Sequence, residues 1–170
     1  FTPTYNRAYI LKQCYQSLCS QTCKDFVWLV VDDGSVDDTK EIIQDWINEG
    51  KISIQYIFQK NAGKQRAVNT GLLNCMTPYF AFLDSDDYYE VDTIEKFLAI
   101  FEKIKDNSKV AGILARTGTP DRKIIGNPNL PHKEFIENFD TLVRKYHFSR
   151  DTCRAYKTEI LKKNLYPEID

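Results

Sequence analysis

Two acidic clusters, each directly after an apolar run, are the clearest candidates for chemistry: Asp32-Asp33 and the Asp-Ser-Asp-Asp of residues 84–87. The Asp-x-Asp spacing of the second cluster offers the hard oxygen ligands that Mg²⁺ and Mn²⁺ prefer, with coordination positions left for diphosphate oxygens. Grouped carboxylates also repel one another, and a bound cation relieves that repulsion. Alternatively, Asp84 caps a turn, and Asp86 and Asp87 begin a helix whose dipole favours them. The cluster alone leaves both interpretations open.

A basic loop lies between the two acidic clusters, in residues 61–71. Lys64 and Arg66 stand where this loop enters a predicted helix, and a helix N-terminus with two cations indicates an anion site. The alternative is a solvated first turn in which Asn61 and Gly63 form an ordinary turn. The segment matches neither a P-loop nor the glycine-rich fingerprint of dinucleotide-binding folds.

The apolar pattern predicts the scaffold that must position these clusters. Strand-like apolar runs alternate with helical periodicity over the first 115 residues, which is typical of an α/β domain with a doubly wound, mostly parallel sheet flanked by helices. Ligands of such sheets bind beyond the carboxyl ends of the strands, so we expect both acidic clusters to face one crevice. The predicted strands are residues 26–31, 52–58, 79–83 and 110–115. The first predicted helix is capped by Asn6, and the second begins with Ser35 and Asp38 as a capping box. Further helices are predicted near Ala67, near Val91, at 135–146 and at 158–163.

Composition narrows the class of protein. Lysine and arginine (23) nearly balance aspartate and glutamate (24) over 170 residues, so nucleic-acid binding is not expected. No apolar run approaches the roughly 20 residues that span a bilayer, and no membrane segment is expected in this chain. The five cysteines are scattered without zinc-ligand spacing, which predicts reduced thiols and a cytoplasmic location, with a peripheral position at the inner membrane face as an option. The length predicts one domain.

Four short blocks follow one another across residues 3–87. They are Pro3-Thr4-Tyr5-Asn6-Arg7 with Ser17-Leu18 and Gln21-Thr22 after it; Val31-Asp32-Asp33-Gly34-Ser35 with Asp38 and Thr39; Asn61-x-Gly63-Lys64 with Ala67 and Asn69; and Phe82-Leu83-Asp84-Ser85-Asp86-Asp87. In this order they resemble the nucleotide-binding portion of family 2 glycosyltransferases, which have the GT-A, nucleotide-diphospho-sugar transferase-like fold. Beyond residue 110 the resemblance is limited to residues 156–159 and 166–168.

The resemblance implies a role for individual residues at a donor site that holds Mn²⁺ or Mg²⁺. It places Pro3 and Tyr5 in the wall around the nucleotide base. Asp33 accepts hydrogen bonds from the base, and Lys64 lies near the base or the diphosphate. Asp84 lies near the ribose and the metal, and Asp86 is the firmest metal ligand. The second choices for the metal are Asp32 and Asp87.

The resemblance also implies the reaction. A sugar passes from a nucleotide-diphosphate donor, expected to be a UDP-sugar, to the hydroxyl of a glycan or other acceptor, with inversion, in polysaccharide or glycoconjugate synthesis. The alternatives are a non-catalytic nucleotide- or carbohydrate-binding module of the same fold and a nucleotidyltransferase. The latter is disfavoured because the chain opens with Pro-Thr-Tyr-Asn where a glycine-rich phosphate loop is wanted.

The catalytic residues stay unassigned at this stage. We expect residues 1–115 to form the nucleotide-sugar-binding half, and residues 116–170 to start the acceptor-side half of the same domain, truncated. The abrupt ends indicate a fragment, and the general base is expected beyond the last residue. Glu168, Asp170 and Asp121 are candidates only by default.

Overall fold

The computed structural model describes residues 1–121, 123–125, 134–147 and 152–167, and strands and helices alternate along them. This confirms the predicted α/β class. The described residues form β1 (Thr2–Thr4), α1 (Leu11–Cys19), β2 (Val27–Asp32), α2 (Thr39–Glu49), β3 (Ser53–Phe58), α3 (Lys64–Asn74), β4 (Tyr79–Phe82), α4 (Thr93–Ile104), β5 (Gly112–Arg116), α5 (Phe139–Arg144), β6 (Thr152–Lys157) and α6 (Thr158–Lys162).

The strands pair in two groups that meet at β1. The first group is parallel in the order β1-β2-β3, and the second is antiparallel in the order β4-β6-β5. The Leu83 amide donates to the Phe1 carbonyl over 2.9 Å, which brings the end of β4 beside β1. The predicted parallel sheet is therefore present in the first half, while β6, which the sequence did not predict, runs antiparallel between β4 and β5.

Strand β2 is buried on both faces, as its continuous apolar run predicts. Trp28 and Val30 belong to the larger core cluster with α1 and α4, whereas Leu29 and Val31 pack in a second cluster with α3. Burial of one such side chain contributes roughly 1.5–3 kcal/mol. The carboxyl end of β2, where the first acidic cluster begins, is thus fixed by core packing on both sides.

Two predicted helix caps are wrong. Helix α1 begins only at Leu11, and Asn6 lies before it with a left-handed φ of 52°. Helix α2 begins at Thr39, whose amide and hydroxyl both donate to the carboxylate of Asp37 and not to Ser35. Both predictions fail for the same reason: Asn6 and Ser35 form hydrogen bonds between the loops after β1 and β2 instead of capping helices.

Helix α4 begins later than the sequence predicts, at Thr93. The acidic residues 84–87 therefore precede the helix by several residues, and the alternative that Asp86 and Asp87 start it is wrong. No helix among the described residues has the length and apolar character needed to cross a membrane.

Candidate nucleotide-binding site

Three adjacent strands deliver polar residues to one edge of the sheet. The Asp33 amide donates to the Thr4 carbonyl over 2.8 Å, so the residues that follow β1 and β2 start side by side. On the other side of β1, the hydrogen bond from Leu83 to Phe1 sets Asp84 at the same edge. Both acidic clusters thus lie at the carboxyl ends of the two strands that flank β1, at one edge, where open α/β sheets bind ligands.

The carboxylate of Asp33 anchors the loop that precedes α3. Its Oδ1 accepts from Gln59 Nε2 at 2.6 Å and from the Ala62 amide at 2.9 Å, and its Oδ2 accepts from the Gly63 amide at 2.7 Å. The side chain of Asn61 completes the tie by donating to the Asp33 carbonyl over 2.8 Å. Asp33 is only 5% exposed, so these bonds form where water competes little.

Gly34 lets this loop come close. Its φ is +85°, and a Cβ at this position would lie 2.7 Å from the backbone nitrogen of Asn61. Any side chain at residue 34 therefore meets both backbone strain and a steric clash.

Asp32 points into the molecule. It is fully buried, and its carboxylate accepts hydrogen bonds from the Ser35 amide at 2.8 Å and from the Tyr56 hydroxyl at 2.7 Å. Burial, with this hydrogen bond, raises the pKa of Tyr56. Asp32 supports the loop after β2 from beneath and offers no oxygen to the crevice, which weakens it as a metal ligand.

Lys64 and Asp84 form an ion pair across the crevice. Lys64 is the first residue of α3, and its Nζ lies 2.8 and 2.9 Å from the two carboxylate oxygens of Asp84. The side chains are 63% and 40% exposed, and such exposed pairs contribute only about 0–1 kcal/mol. A ligand that binds either partner can therefore open the pair at little cost.

Asp86 presents its carboxylate to solvent. It lies in a turn closed by the hydrogen bond from the Asp87 amide to the Asp84 carbonyl, at 3.0 Å, beside the buried Ser85. In the part of the chain that the structure describes, no hydrogen bond or ion pair engages the Asp86 side chain.

The donor set around this turn fits one kind of cation site. No three His, Cys, Asp or Glu side chains among the described residues are grouped to hold a metal. Mg²⁺ commonly binds through only one or two carboxylates together with substrate phosphates, and Mn²⁺ accepts the same oxygen ligands. Asp84 and Asp86 therefore fit a cation shared with a bound diphosphate, and they do not fit a cation enclosed by protein alone.

The loop after β1 is tied to the loop after β2. The Asn6 amide donates to Ser35 Oγ at 2.8 Å, and Asn6 Oδ1 accepts from the Val36 amide at 2.8 Å. These bonds hold the chain beside Tyr5, which is 48% exposed, while Pro3 is buried within β1. This tie could not be predicted from the sequence, because asparagine is favoured as a helix cap and is also enriched among the non-glycine residues that adopt the left-handed conformation.

A cavity of about 300 Å³ adjoins the start of α3. One of its walls is the segment at Tyr166, which Asn69 holds by two hydrogen bonds: Asn69 Nδ2 donates to the Tyr166 carbonyl at 2.8 Å, and the Tyr166 amide donates to Asn69 Oδ1 at 2.9 Å. Asn69 stands in a recognised sequence block, but nothing in that block indicated its distant partner. The cavity is lined by Ala62, Gly63, Lys64, Gln65, Arg66, Asn69, Tyr166 and Pro167.

Of the three candidates for a general base, only Asp121 lies among the described residues. Glu168 and Asp170 lie outside the described residues. The pKa of Asp121 is lowered by Lys123, whose Nζ lies 2.8 Å from Asp121 Oδ2, and by the hydrogen bond from the Thr119 hydroxyl. A lowered pKa makes a carboxylate a weaker base.

Comparison with known proteins agrees with this geometry. The sequence model of the family described as "Glycosyl transferase family 2" matches residues 1–165. The chain is 32% identical over 178 aligned positions to a chondroitin synthase of Escherichia coli, an alignment that covers all of this chain and 25% of the synthase. The chain thus spans about a quarter of that relative's length.

Two solved structures show the same fold at lower identity. Residues 1–349 of TarS from S. aureus superpose with a TM-score of 0.75 at 24% identity, covering 98% of this chain and 49% of that one. TarS has also been solved in complex with UDP-GlcNAc. The mannosyltransferase PcManGT from Pyrobaculum calidifontis, in complex with GDP-Man and Mn²⁺, superposes with a TM-score of 0.68 at 20% identity, covering 98% and 46% of the two chains.

Proposed function

The chain belongs to glycosyl transferase family 2 and has the GT-A fold, and from this membership we propose that its strand-end crevice binds a UDP-sugar donor through Mn²⁺ or Mg²⁺. The observation that carries the proposal is the Lys64–Asp84 pair beside the loop that Asp33 anchors. The complexes of TarS with UDP-GlcNAc and of PcManGT with GDP-Man and Mn²⁺ support a nucleotide-sugar and a divalent cation as the ligand classes.

In this proposal Asp86 and Asp84 hold the cation. Bound there, the cation supplies neutralisation of the charge that develops on the departing diphosphate. Asp86 is the firmer ligand because its carboxylate has no competing contact among the described residues. Asp84 would exchange its contact with Lys64 for the cation, and the ammonium group of Lys64 would then be available to a phosphate oxygen or the base.

The nucleobase is assigned to the wall formed by Pro3, Tyr5 and Asp33. A carboxylate has about four lone-pair positions, and Asp33 already accepts three hydrogen bonds from the loop before α3. One position therefore remains for an N–H of the base, such as that of uracil. Asp33→Ala is expected to weaken UDP binding even when the cation is saturating.

The transfer reaction completes the proposal. Residues 1–115 form the donor half and residues 116–170 begin the acceptor side, where a carboxylate base takes the proton of an acceptor hydroxyl as the sugar is transferred with inversion. The product is a polysaccharide or glycoconjugate. A cytoplasmic location belongs to the proposal too, supported by the five free cysteines.

Calorimetry of UDP binding with and without Mn²⁺ tests the proposal. Asp86→Asn should weaken Mn²⁺-dependent UDP binding by about tenfold or more, because a contact to a charged ligand is worth roughly 1.5–3 kcal/mol and 1.4 kcal/mol is tenfold. Asp87→Asn is the matched control and should weaken it less. Equal and small effects of the two variants contradict the assignment of the cation to Asp86.

A donor-turnover assay with a panel of acceptors runs beside the calorimetry. We expect residues 1–170 to bind UDP, whereas sugar transfer also requires a positioned general base, which contributes about 10²–10⁴ in rate. Transfer at a substantial rate would place the base inside this chain, at Glu168, Asp170 or Asp121.

A further inference from the structure

Three polar side chains, spaced four residues apart, line one side of α1 and its following turn. They are Gln13, Ser17 and Gln21, and we call them the α1 polar stripe. This spacing puts all three on the same helical face. The apolar side of α1 is buried and fixes the helix in the core; its buried residues are Leu11, Cys14, Tyr15 and Leu18.

Each stripe residue binds the backbone of residues 84–94, which we call the acidic segment; it comprises the loop after β4 and the first two residues of α4. Gln13 Nε2 donates to the Asp86 carbonyl at 2.6 Å. Ser17 Oγ accepts from the Tyr89 amide at 3.2 Å, and the same hydroxyl donates to the Cys14 carbonyl at 2.8 Å, which fixes its orientation.

The buried Gln21 makes the largest number of contacts. Its Nε2 donates to the Glu90 carbonyl at 2.9 Å and to the Ser17 carbonyl at 3.0 Å, and its Oε1 accepts from the Ile94 amide at 3.1 Å. At the next residue the Thr22 amide donates to the Val91 carbonyl at 2.8 Å.

The acidic segment depends on such external partners. Residues 84–92 form neither strand nor helix. Two of the backbone hydrogen bonds in this stretch and at its junction with α4 are donated by the Asp87 amide to the Asp84 carbonyl and by the Thr93 amide to the Glu90 carbonyl. Backbone groups outside regular structure need other partners to stay fixed. The stripe provides them from a helix that is itself held by the core.

We propose that the α1 polar stripe positions the segment from Asp86 to Ile94 and so holds the Asp86 carboxylate in place for a divalent cation. The last step rests on the proposed function, whereas the fixing of the backbone does not. The stripe residues are positioning residues, since they touch the backbone of the segment and not the ligand. Partners of this kind, one step removed from a metal, change its affinity by about 10–100-fold when they are removed.

Two variants remove single stripe contacts, and two controls match them. Gln13→Met keeps the length of the side chain but removes the donor to Asp86, and Ser17→Ala removes the acceptor for the Tyr89 amide. Gln16→Met makes the same chemical change at an exposed position of the same helix, and Ser17→Thr keeps the hydroxyl.

The first measurement is amide hydrogen exchange of the metal-free chain. Ser17→Ala should speed exchange at the Tyr89 amide at least tenfold. Gln13→Met should speed exchange at the Asp87 amide, which belongs to the same peptide group as the Asp86 carbonyl. The core amides of β2 should exchange unchanged in both variants. The two controls should exchange as the wild type does. Unchanged exchange at residues 86–94, or exchange that rises equally in β2, would overturn the proposal, because the stripe would then support only overall stability.

The second measurement is the Mn²⁺ concentration that gives half-maximal UDP binding. Gln13→Met and Ser17→Ala should raise it about 10–100-fold, while both controls stay within about twofold of the wild type. An unchanged Mn²⁺ requirement overturns the link from the stripe to the cation. If the wild type itself binds no UDP with Mn²⁺, the proposed function fails, and hydrogen exchange still decides whether the stripe fixes the segment.

Discussion

Replacing Asp33 with asparagine tests the anchored loop beside the crevice, because it changes one atom of a carboxylate that accepts three hydrogen bonds. The amide oxygen can keep the bonds from Gln59 and the Ala62 amide. The new Nδ2, however, is a donor that faces the donor of the Gly63 amide, formerly 2.7 Å from Oδ2. A lost bond to a buried charged acceptor costs about 1.5–3 kcal/mol.

Thermal unfolding followed by circular dichroism measures this loss. For a chain of this size, each kcal/mol lowers Tm by about 2–4 °C, so we expect Tm to fall by roughly 3–12 °C. Asp45→Asn, an identical change at an exposed position of α2, is the control and should change the free energy of unfolding by no more than about 0.5 kcal/mol. If Asp33→Asn is no more destabilising than Asp45→Asn, the carboxylate does not anchor the loop.

Three further predictions concern the surrounding scaffold. Gly34→Ala should lower the free energy of unfolding in urea by about 1–3 kcal/mol, because φ is +85° and the new Cβ meets Asn61; an unchanged midpoint contradicts the close approach. Lys157→Met should cost about 1–3 kcal/mol by the same assay, since its buried ammonium group donates to two carbonyls at the end of α4; a neutral effect refutes that role. Burial works to raise the pKa of Asp37, but hydrogen bonds that include those from Thr39 and the Ala8 amide outweigh it and hold the pKa below the ordinary value of an aspartate. Its contribution is present above the unfolded pKa and is lost as pH falls through the lowered one, so Asp37→Asn should be less stable than wild type at pH 6 by a margin that shrinks below about pH 4.

The first half of the fold could be predicted because its signals are local. The run of residues 26–31 is apolar at every position, which suits a strand buried on both faces, and Lys64 follows a glycine at a helix start. The order of the blocks along the chain then places Asp33 and Asp84 at one edge of the sheet.

Strand β6 could not be predicted, and the reason is visible in its sequence, Thr152–Lys157. Its alternation is short and includes Arg154 and Lys157, which read as solvent-exposed positions. Lys157 is nevertheless 8% exposed, since its Nζ donates to the carbonyls of Lys105 and Asn107. A lysine whose partners lie about fifty residues away gives no local sign of burial.

The candidate site shows the same limit. The family resemblance assigned Asp33 to the nucleobase, but its bonds to Gln59, Ala62 and Gly63 join residues 26 to 30 positions apart. The pairing of Asn69 with Tyr166 spans 97 positions. Residue types indicated which side chains can do chemistry, whereas the partners that orient them depend on the folded chain.

The location of bound nucleotide tests the central claim most directly. Titration of the ¹⁵N-labelled chain with UDP and Mg²⁺, followed by amide chemical shifts, should perturb the residues that follow β1 and β2, the start of α3 at Lys64 and the turn at Asp86. Amides at the end of α2 and at the start of β3, which lie at the opposite edge of the sheet from Asp33, should keep their shifts. Perturbations confined to those distant elements, or no perturbation when UDP and Mg²⁺ are in large excess, would contradict the assignment of the nucleotide-sugar site to this crevice.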